Sequence, residues 1–483
     1  MDPSNGGLVW NGPETHAFSF GVQQYQGEPV LVYWNGSVFP EPLGRGNGAV
    51  YLLNKQYEQV AAVTLPGNFL ELPPGEKYAS NIDLHEIYLT EKGSVIITAN
   101  NVTQFDLMSV GGVVDGWIVD ALFYEIDIAT NDVLFSWSSL DHVDVLPLTD
   151  SVYPLGSEGY DGHNQSTAWG YFHINAASPY NDGYILSSRF LCSAIAIGRD
   201  GSVKWRLAGR DSLGGDFSLG EGADFCYQHH IRAYENGEDS ITLHLHDNAN
   251  SPIENNTIPT SGKSLHADLQ SKHVTLNQRY SNESAKVFAT AQGSFQQLAN
   301  GNVVTGHGWI PVASEFAVDG TPLNTWQYGA NPRNGNDYIS AQKTTLSYRS
   351  FKQQWVGCPT TKPAIVTERQ DDGSVAVYIS WNGATEVYGW VVLAGISATE
   401  LQYVAHEEKT GFETKIVIEN AAFVQARSVT KPSNSNSPGG YEENGRHRPW
   451  TYWQGLHNSH LDPNAIAHSC GGGTDAESDV VTV

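Results

Sequence analysis

Positive charge is scarce in this chain. Its 483 residues carry 26 Lys and Arg against 52 Asp and Glu, a formal charge of -26. That balance opposes nucleic acid and anionic membrane as partners. No apolar run reaches the roughly eighteen residues that a membrane-crossing helix needs, and the opening MDPSNGGLVW lacks the basic-then-apolar order of a signal peptide. Four cysteines, Cys192, Cys226, Cys358 and Cys470, are too few for a disulfide scaffold and lack metal spacing. HExxH, a GxSxG elbow and a phosphate-cradling glycine loop are all missing, and the His85–Glu86 pair has no second histidine. The sequence therefore predicts neither a metal nor a dissociable cofactor.

What is there favours strands. Aromatics reach 11% and glycines number 49, with few alanine or leucine runs, so an all-β fold is expected. A unit of four short strands recurs along the chain. The clearest copy is YFHINAASPYNDGYILSSRFLCSAIAIGRDGSVKWRL. A second runs from LHEIYLTEKGSVIITAN to ALFYEIDIATNDVLFSW with an insertion between its halves. A third begins QHHIRAYENGEDSITLHLHDN, a fourth is GSFQQLANGNVVTGHGWIPVASEFAVDGTPLNTWQY, and FSFGVQQYQGEPVLVYW with GAVYLLNKQYEQVAAVTL makes a fifth. Such repetition predicts a five- or six-bladed β-propeller over residues 1–357, with GLVWNG supplying the strand that closes the ring. Trp137, Trp205 and Trp326 end blades at equivalent places and are expected to pack between them. Residues 358–427 read as a small immunoglobulin- or fibronectin-like sandwich. Residues 428–483 read as a linker followed by an aromatic-containing tail, RPWTYWQGLH, that folds back on the body.

The innermost strand of each blade lines a propeller's channel. Here those strands open with His85, His173 and His229, so three rings are predicted to converge on one axis. Neighbours on a strand face opposite ways. His229 is therefore expected to face the channel, while His230 turns with Arg232 toward the next blade. His307, and His244 with His246, could also line the channel, but 244 and 246 share one face of a strand and read as cover for a blade surface, so these three are set aside. In an oxidising compartment Cys358 is expected to pair with Cys470 and Cys192 with Cys226. Five Asn-x-Ser/Thr acceptors, Asn35, Asn101, Asn164, Asn255 and Asn282, suit a secreted glycoprotein whose leader has been removed.

YFHINA, GYILSSR, AIGRDGSVKWRLAG, QHHIR and the Asp247–Asn248 pair occur in an order and spacing that resembles the arylsulfotransferase-like propellers, in particular their fungal branch. GWIVDALFYEIDIATNDVLFSW and ISWNGATEV extend the likeness over residues 7 to 427. The resemblance implies catalysis in the channel. Members that transfer sulfuryl groups without a nucleotide use a channel histidine as nucleophile, with histidine and arginine holding the sulfate. By this resemblance His229 and His173 match channel histidines, with His85 in register. Asn175, Arg189, Phe190, Gln228 and Asn248 fall at substrate-binding positions. His230 stands where the fungal pattern has aspartate, Phe190 replaces a polar ring, and DNANSP lacks an expected arginine.

Sulfuryl transfer needs cations around the equatorial oxygens, and these departures remove some. Other members of the fungal branch perform cyclisations or hetero-Diels–Alder couplings in natural-product pathways, where a neutral histidine polarises a carbonyl or helps make a quinone methide. The sequence reading thus favours a cofactor-free cyclase acting on an aromatic small molecule. A nucleotide-independent aryl sulfotransferase with His229 as nucleophile is the alternative, and a non-catalytic binding propeller is the third.

Overall fold

The computed structural model describes residues 1–4, 6–39, 44–70, 75, 77–234, 237–254, 258–329, 346–430 and 477–483. Contacts divide the chain into two units: Glu14–Asn54 with Gln59–Gln354, and Met1–Pro13 with Lys55–Glu58 and Trp355–Val483.

The first unit is a five-bladed propeller, as counted among the described residues. Blade 1 comprises β1 (Ala17–Tyr25), β2 (Glu28–Phe39), β3 (Arg45–Leu53) and β4 (Gln59–Val63). Blade 2 comprises β5 (Ile87–Leu89), β6 (Ser94–Phe105), β7 (Gly116–Asp127) and β8 (Val133–Ser138). Blade 3 follows with β9 (Ile174–Tyr180), β10 (Gly183–Ser188), β11 (Ser193–Ile197) and β12 (Val203–Ala208). Blade 4 holds β13 (Ser218–Leu219), β14 (His229–Tyr234), β15 (Ser240–Asp247), β16 (Ser261–Asp268) and β17 (His273–Tyr280). In blade 5, β18 (Ser294–Gln297), β19 (Val303–Gly306), β20 (Val312–Phe316) and β21 (Pro322–Gln327) complete the set. Each blade is an antiparallel meander, and β13 adds a parallel fifth strand to the outer edge of blade 4.

Burial varies across a blade. The middle strands β10 and β11 are buried at every position, because a blade is covered on both faces, and Ser187, Ser188 and Ser193 are buried along with their apolar residues. Outer strands such as β17 alternate, and β21 is exposed at most positions. Between blades, separate cores form: Val32, Trp34, Ile97 and Ile126 lie together, as do Phe123, Trp137, Phe172 and Leu186, and Ile185, Trp205, Ile231 and Leu243.

Two expectations for the propeller are corrected. The expected insertion in blade 2 is partly strand: β6 and β7 pair continuously from Ser94↔Asp127 to Phe105↔Gly116, and only residues 106–115, with a 3-10 turn at Met108–Val110, stand outside the ladder. A longer excursion lies between β8 and β9. GLVWNG, meanwhile, forms no strand and belongs to the other unit, where Gly383 N–H donates to Val9 O (3.0 Å), Asn382 bonds Asn11 and Trp10 stacks on Tyr57 at 4.9 Å.

Residues 346–353 close the ring, working through side chains rather than a ladder. Ser350 and Ser294 exchange bonds of 2.9 and 3.0 Å, and Lys352 N–H donates to Gln296 Oε1 at 2.8 Å, both on β18. Gln353 then exchanges bonds of 2.7 and 2.8 Å with the backbone of Val22 on β1.

The second unit contains two sheets. β22 (Ala364–Arg369), β23 (Val375–Ser380) and β26 (Glu413–Ile418) form one. β24 (Val387–Gly395), β25 (Gln402–Glu408), β27 (Phe423–Thr430) and β28 (Val481–Thr482) form the other. Val377, Ile379, Trp390, Val392 and Val424 fill the core between them. The chain's last residues return as β28 on β27, whereas RPWTYWQGLH and Cys470 lie outside the described residues. Cys358 is disulfide-bonded.

Candidate functional site

Strand alternation does not describe the mouths of the inner strands. Ser19, His173, His230 and Gln292 take φ of +52°, +56°, +54° and +65°, left-handed conformations that are uncommon away from glycine. The pairing of β1 shifts between Phe18 and Gly21, and that of β14 between His229 and Arg232. These bulges re-aim side chains. His230 accepts from Phe295 N–H (3.2 Å) on the next blade, yet Arg232 does not follow it, and the expected His230–Arg232 pairing is overturned by the bulge. Arg232 reaches Glu86 instead.

His85 and His173 meet edge to face, their ring centres 4.7 Å apart. Tyr348 packs edge-on to His85 at 5.5 Å and to His229 at 6.2 Å, so one tyrosine sits between the histidines. Asp83 holds His85 Nδ1, which orients the imidazole. Burial alone would raise the Asp83 carboxyl, but His85 beside it holds the group below its ordinary value.

The two remaining histidines differ in what is free. His229 Nδ1 bonds Asn248 Oδ1 at 2.7 Å and its Nε2 accepts from Gln292 N–H at 3.1 Å, so both ring nitrogens are engaged. Asn248 is itself fixed by Ala289 O and Gln292 O. His173 Nε2, by contrast, is buried with no hydrogen-bond partner, as are Arg189 Nε and the Tyr348 hydroxyl. Such orphans are costly in a finished interior, and these three belong to side chains around the His85–His173–Tyr348 cluster. Burial, with His85 and Arg189 adding to it, pushes His173 well below the ordinary imidazole value; burial and Arg189 do the same to His229. Both rings are neutral at pH 7.

The other predicted residues frame this cluster. Phe190 stacks on Tyr153 at 4.4 Å and touches both His173 (5.1 Å) and the Arg189 guanidinium (5.1 Å), giving the site an apolar floor. Arg189 also donates to Thr290 O at 3.0 Å. Asn175 donates to Gln228 O (2.7 Å), and Gln228 donates to Ser187 Oγ and Ser188 O. These two support the site from behind. The Cys192–Cys226 disulfide joins the turn after Arg189 to the turn before Gln228. His246 and His307 pair at 3.3 Å and His244 packs against Tyr234 and Phe295; His244 Nδ1 and His246 Nδ1 are also buried without a hydrogen-bond partner. Among the acceptor asparagines Asn164 is exposed, Asn35, Asn101 and Asn282 are half-buried, and Asn255 lies outside the described residues.

The sequence reading missed Tyr348, Arg349 and the role of Glu86. Glu86 is 0% exposed and takes Arg349 at 2.6 Å and Arg232 at 2.9 Å, with Ala177 N–H at 2.9 Å. Arg349 continues to His85 O and Asn175 O, tying three blades to the closing segment. Burial opposes the Glu86 charge, but the two arginines hold its carboxyl below the usual range. Glu86→Gln leaves two buried cations sharing no anion. It is expected to lower the unfolding free energy by about 3–5 kcal/mol, measured by denaturant titration; a loss under about 1 kcal/mol would show that the arginines find counter-charge elsewhere.

Among the described residues no group of three or more His, Cys, Asp or Glu side chains is placed to hold a metal.

A family model described as arylsulfotransferase (ASST) matches residues 21–329. No curated protein matches the chain. Solved structures similar to it include the Penicillium chrysogenum alpha-L-arabinanase (9% identity, TM-score 0.36, 77% of this chain and 92% of that one). The Malassezia sympodialis allergen Mala s 1 is another (9%, 0.35, 73% and 84%). A third is a Bacillus subtilis family 43 arabinoxylan arabinofuranohydrolase (10%, 0.30, 88% and 92%).

Proposed function

Because the chain belongs to the arylsulfotransferase (ASST) family, we propose that it moves a sulfuryl group between phenols without a nucleotide, with His173 as the nucleophile. The observation that carries this reading is the buried, unpartnered Nε2 of a neutral His173. A neutral imidazole with a free lone pair can attack sulfur, which an imidazolium cannot. In the first half, the N–S bond forms as the S–O bond to the donor aryl group breaks, and the electron pair leaves with the aryl oxygen. In the second half the acceptor phenol attacks sulfur, the N–S bond breaks and the phenolic proton passes to His85, whose Nδ1 is held by Asp83. Arg189 supplies positive charge to the equatorial oxygens, and Phe190 suits the aromatic ring of the substrate. His229, with both nitrogens engaged, orients the wall of the site.

A second reading, a cofactor-free cyclase of hetero-Diels–Alder type, is favoured by the neutralisation of Arg232 and Arg349 on Glu86, which leaves few cations for sulfate. The disulfide fits passage through an oxidising secretory route.

Incubation with 4-nitrophenyl sulfate and a phenol separates the two. Sulfuryl transfer predicts nitrophenolate release, a sulfated phenol and ping-pong kinetics without added nucleotide. Absence of nitrophenolate release between pH 6.5 and 8 would sink the transfer reading and leave the cyclase.

A further inference from the structure

The geometry points to Tyr348 as the catalytic acid that delivers a proton to the departing aryl oxygen, an inference that rests on the sulfuryl-transfer reading. Its ring is pinned on three sides, by His85 (5.5 Å), His229 (6.2 Å) and Phe18 (6.3 Å), and its carbonyl accepts from Gly293 N–H at 3.1 Å. The hydroxyl at the end of that fixed ring is buried and bonds nothing. A phenol kept only for packing would be expected as phenylalanine, since a buried hydroxyl without a partner costs stability.

Arg189 is electrostatically coupled to this hydroxyl, and its own Nε is likewise free. The donor's aryl oxygen and its sulfuryl oxygens therefore have separate partners, Tyr348 O–H for the first and Arg189 N–H for the second. Burial pushes the Tyr348 hydroxyl above the ordinary phenol range, so it is protonated when substrate arrives. The same dry surroundings raise the departing phenol to a similar extent. Transfer between two phenol oxygens is then nearly balanced. The Tyr348 O–H bond breaks as the aryl O–H bond forms, with Arg189 and Arg349 steadying the tyrosinate. That tyrosinate regains a proton in the second half, from the acceptor phenol by way of His85.

A proton donor matters most when the leaving group is poor. Tyr348→Phe should lower kcat/KM for phenyl sulfate by about a hundredfold. For 4-nitrophenyl sulfate, whose phenolate leaves unaided, the loss should be under about threefold. Equal losses on the two donors would overturn the assignment. The same variant's thermal midpoint gives a readout free of activity: with no bond to lose, it should stay level or rise by about 1–3 °C. A fall of that size would show a structural hydroxyl and also overturn the proposal. Wild-type protein inert toward both sulfates would sink sulfuryl transfer and the acid with it, whereas active wild type with equal losses sinks the acid alone.

Discussion

Acidified from pH 7, the protein is expected to unfold cooperatively between about pH 4.5 and 5.5. Six histidines are buried and neutral. Burial pushes His244 and His307 down to about 4 and His246 to about 3, and drives His173, His229 and His230 well below the ordinary value. In the unfolded chain each takes its proton near pH 6.5. Between that value and the folded ones the unfolded chain binds more protons, so stability is full above pH 6.5 and drains as pH falls. Six such groups give a slope of up to about 8 kcal/mol per pH unit, against a typical total of roughly 5–15 kcal/mol. Tryptophan fluorescence followed through an acid titration reads the transition. His244→Phe, which removes one proton from the balance at a site already between Tyr234 and Phe295, should shift the midpoint to lower pH. A protein still folded at pH 4 would show that these imidazoles carry charge in the native state.

The second large effect concerns the nucleophile. His173→Asn should abolish turnover to at least about a thousandfold while leaving the fold intact. Asparagine tolerates the φ of +56° better than alanine does, and the deleted Nε2 bonds nothing. His229→Asn should do the reverse. It strands Gln292 N–H and Asn248 Oδ1, costing about 1–3 kcal/mol of stability, with a smaller kinetic loss. Measured kcat and denaturation midpoints for the pair decide between them. If His229→Asn is the dead variant and His173→Asn the unstable one, the roles assigned to the two rings must be exchanged.

The blades were legible in the sequence because short strands and their turns recur in the same order, and the three histidines were legible because they stand at the entry to inner strands: His229 begins β14, His173 directly precedes β9 and His85 lies two residues before β5. Their roles were not. The alternation rule assumes an unbroken ladder, and β14 breaks at the very residues in question. Nothing in the letters QHHIR announces a left-handed His230. Tyr348 and Arg349 escaped for another reason: they lie in LSYRSF, which repeats no unit and closes the ring by side-chain bonds that leave no periodic pattern. Glu86 was weighed only as part of a zinc motif, and its true partners are Arg232 and Arg349, distant in sequence.

The closing segment also fixes when the site can exist during synthesis. A ribosome delivers His85, Glu86, His173 and His229 long before residue 348, so a growing chain can stack its blades while Glu86 still lacks Arg349 and the histidines lack their tyrosine. Only after Gln353 has emerged to meet Val22 can the five blades lock, and the same few residues bring the proposed acid and the last counter-charge. A truncated chain that stops at blade 5 would hold His85, His173 and His229 but lack Tyr348 and Arg349.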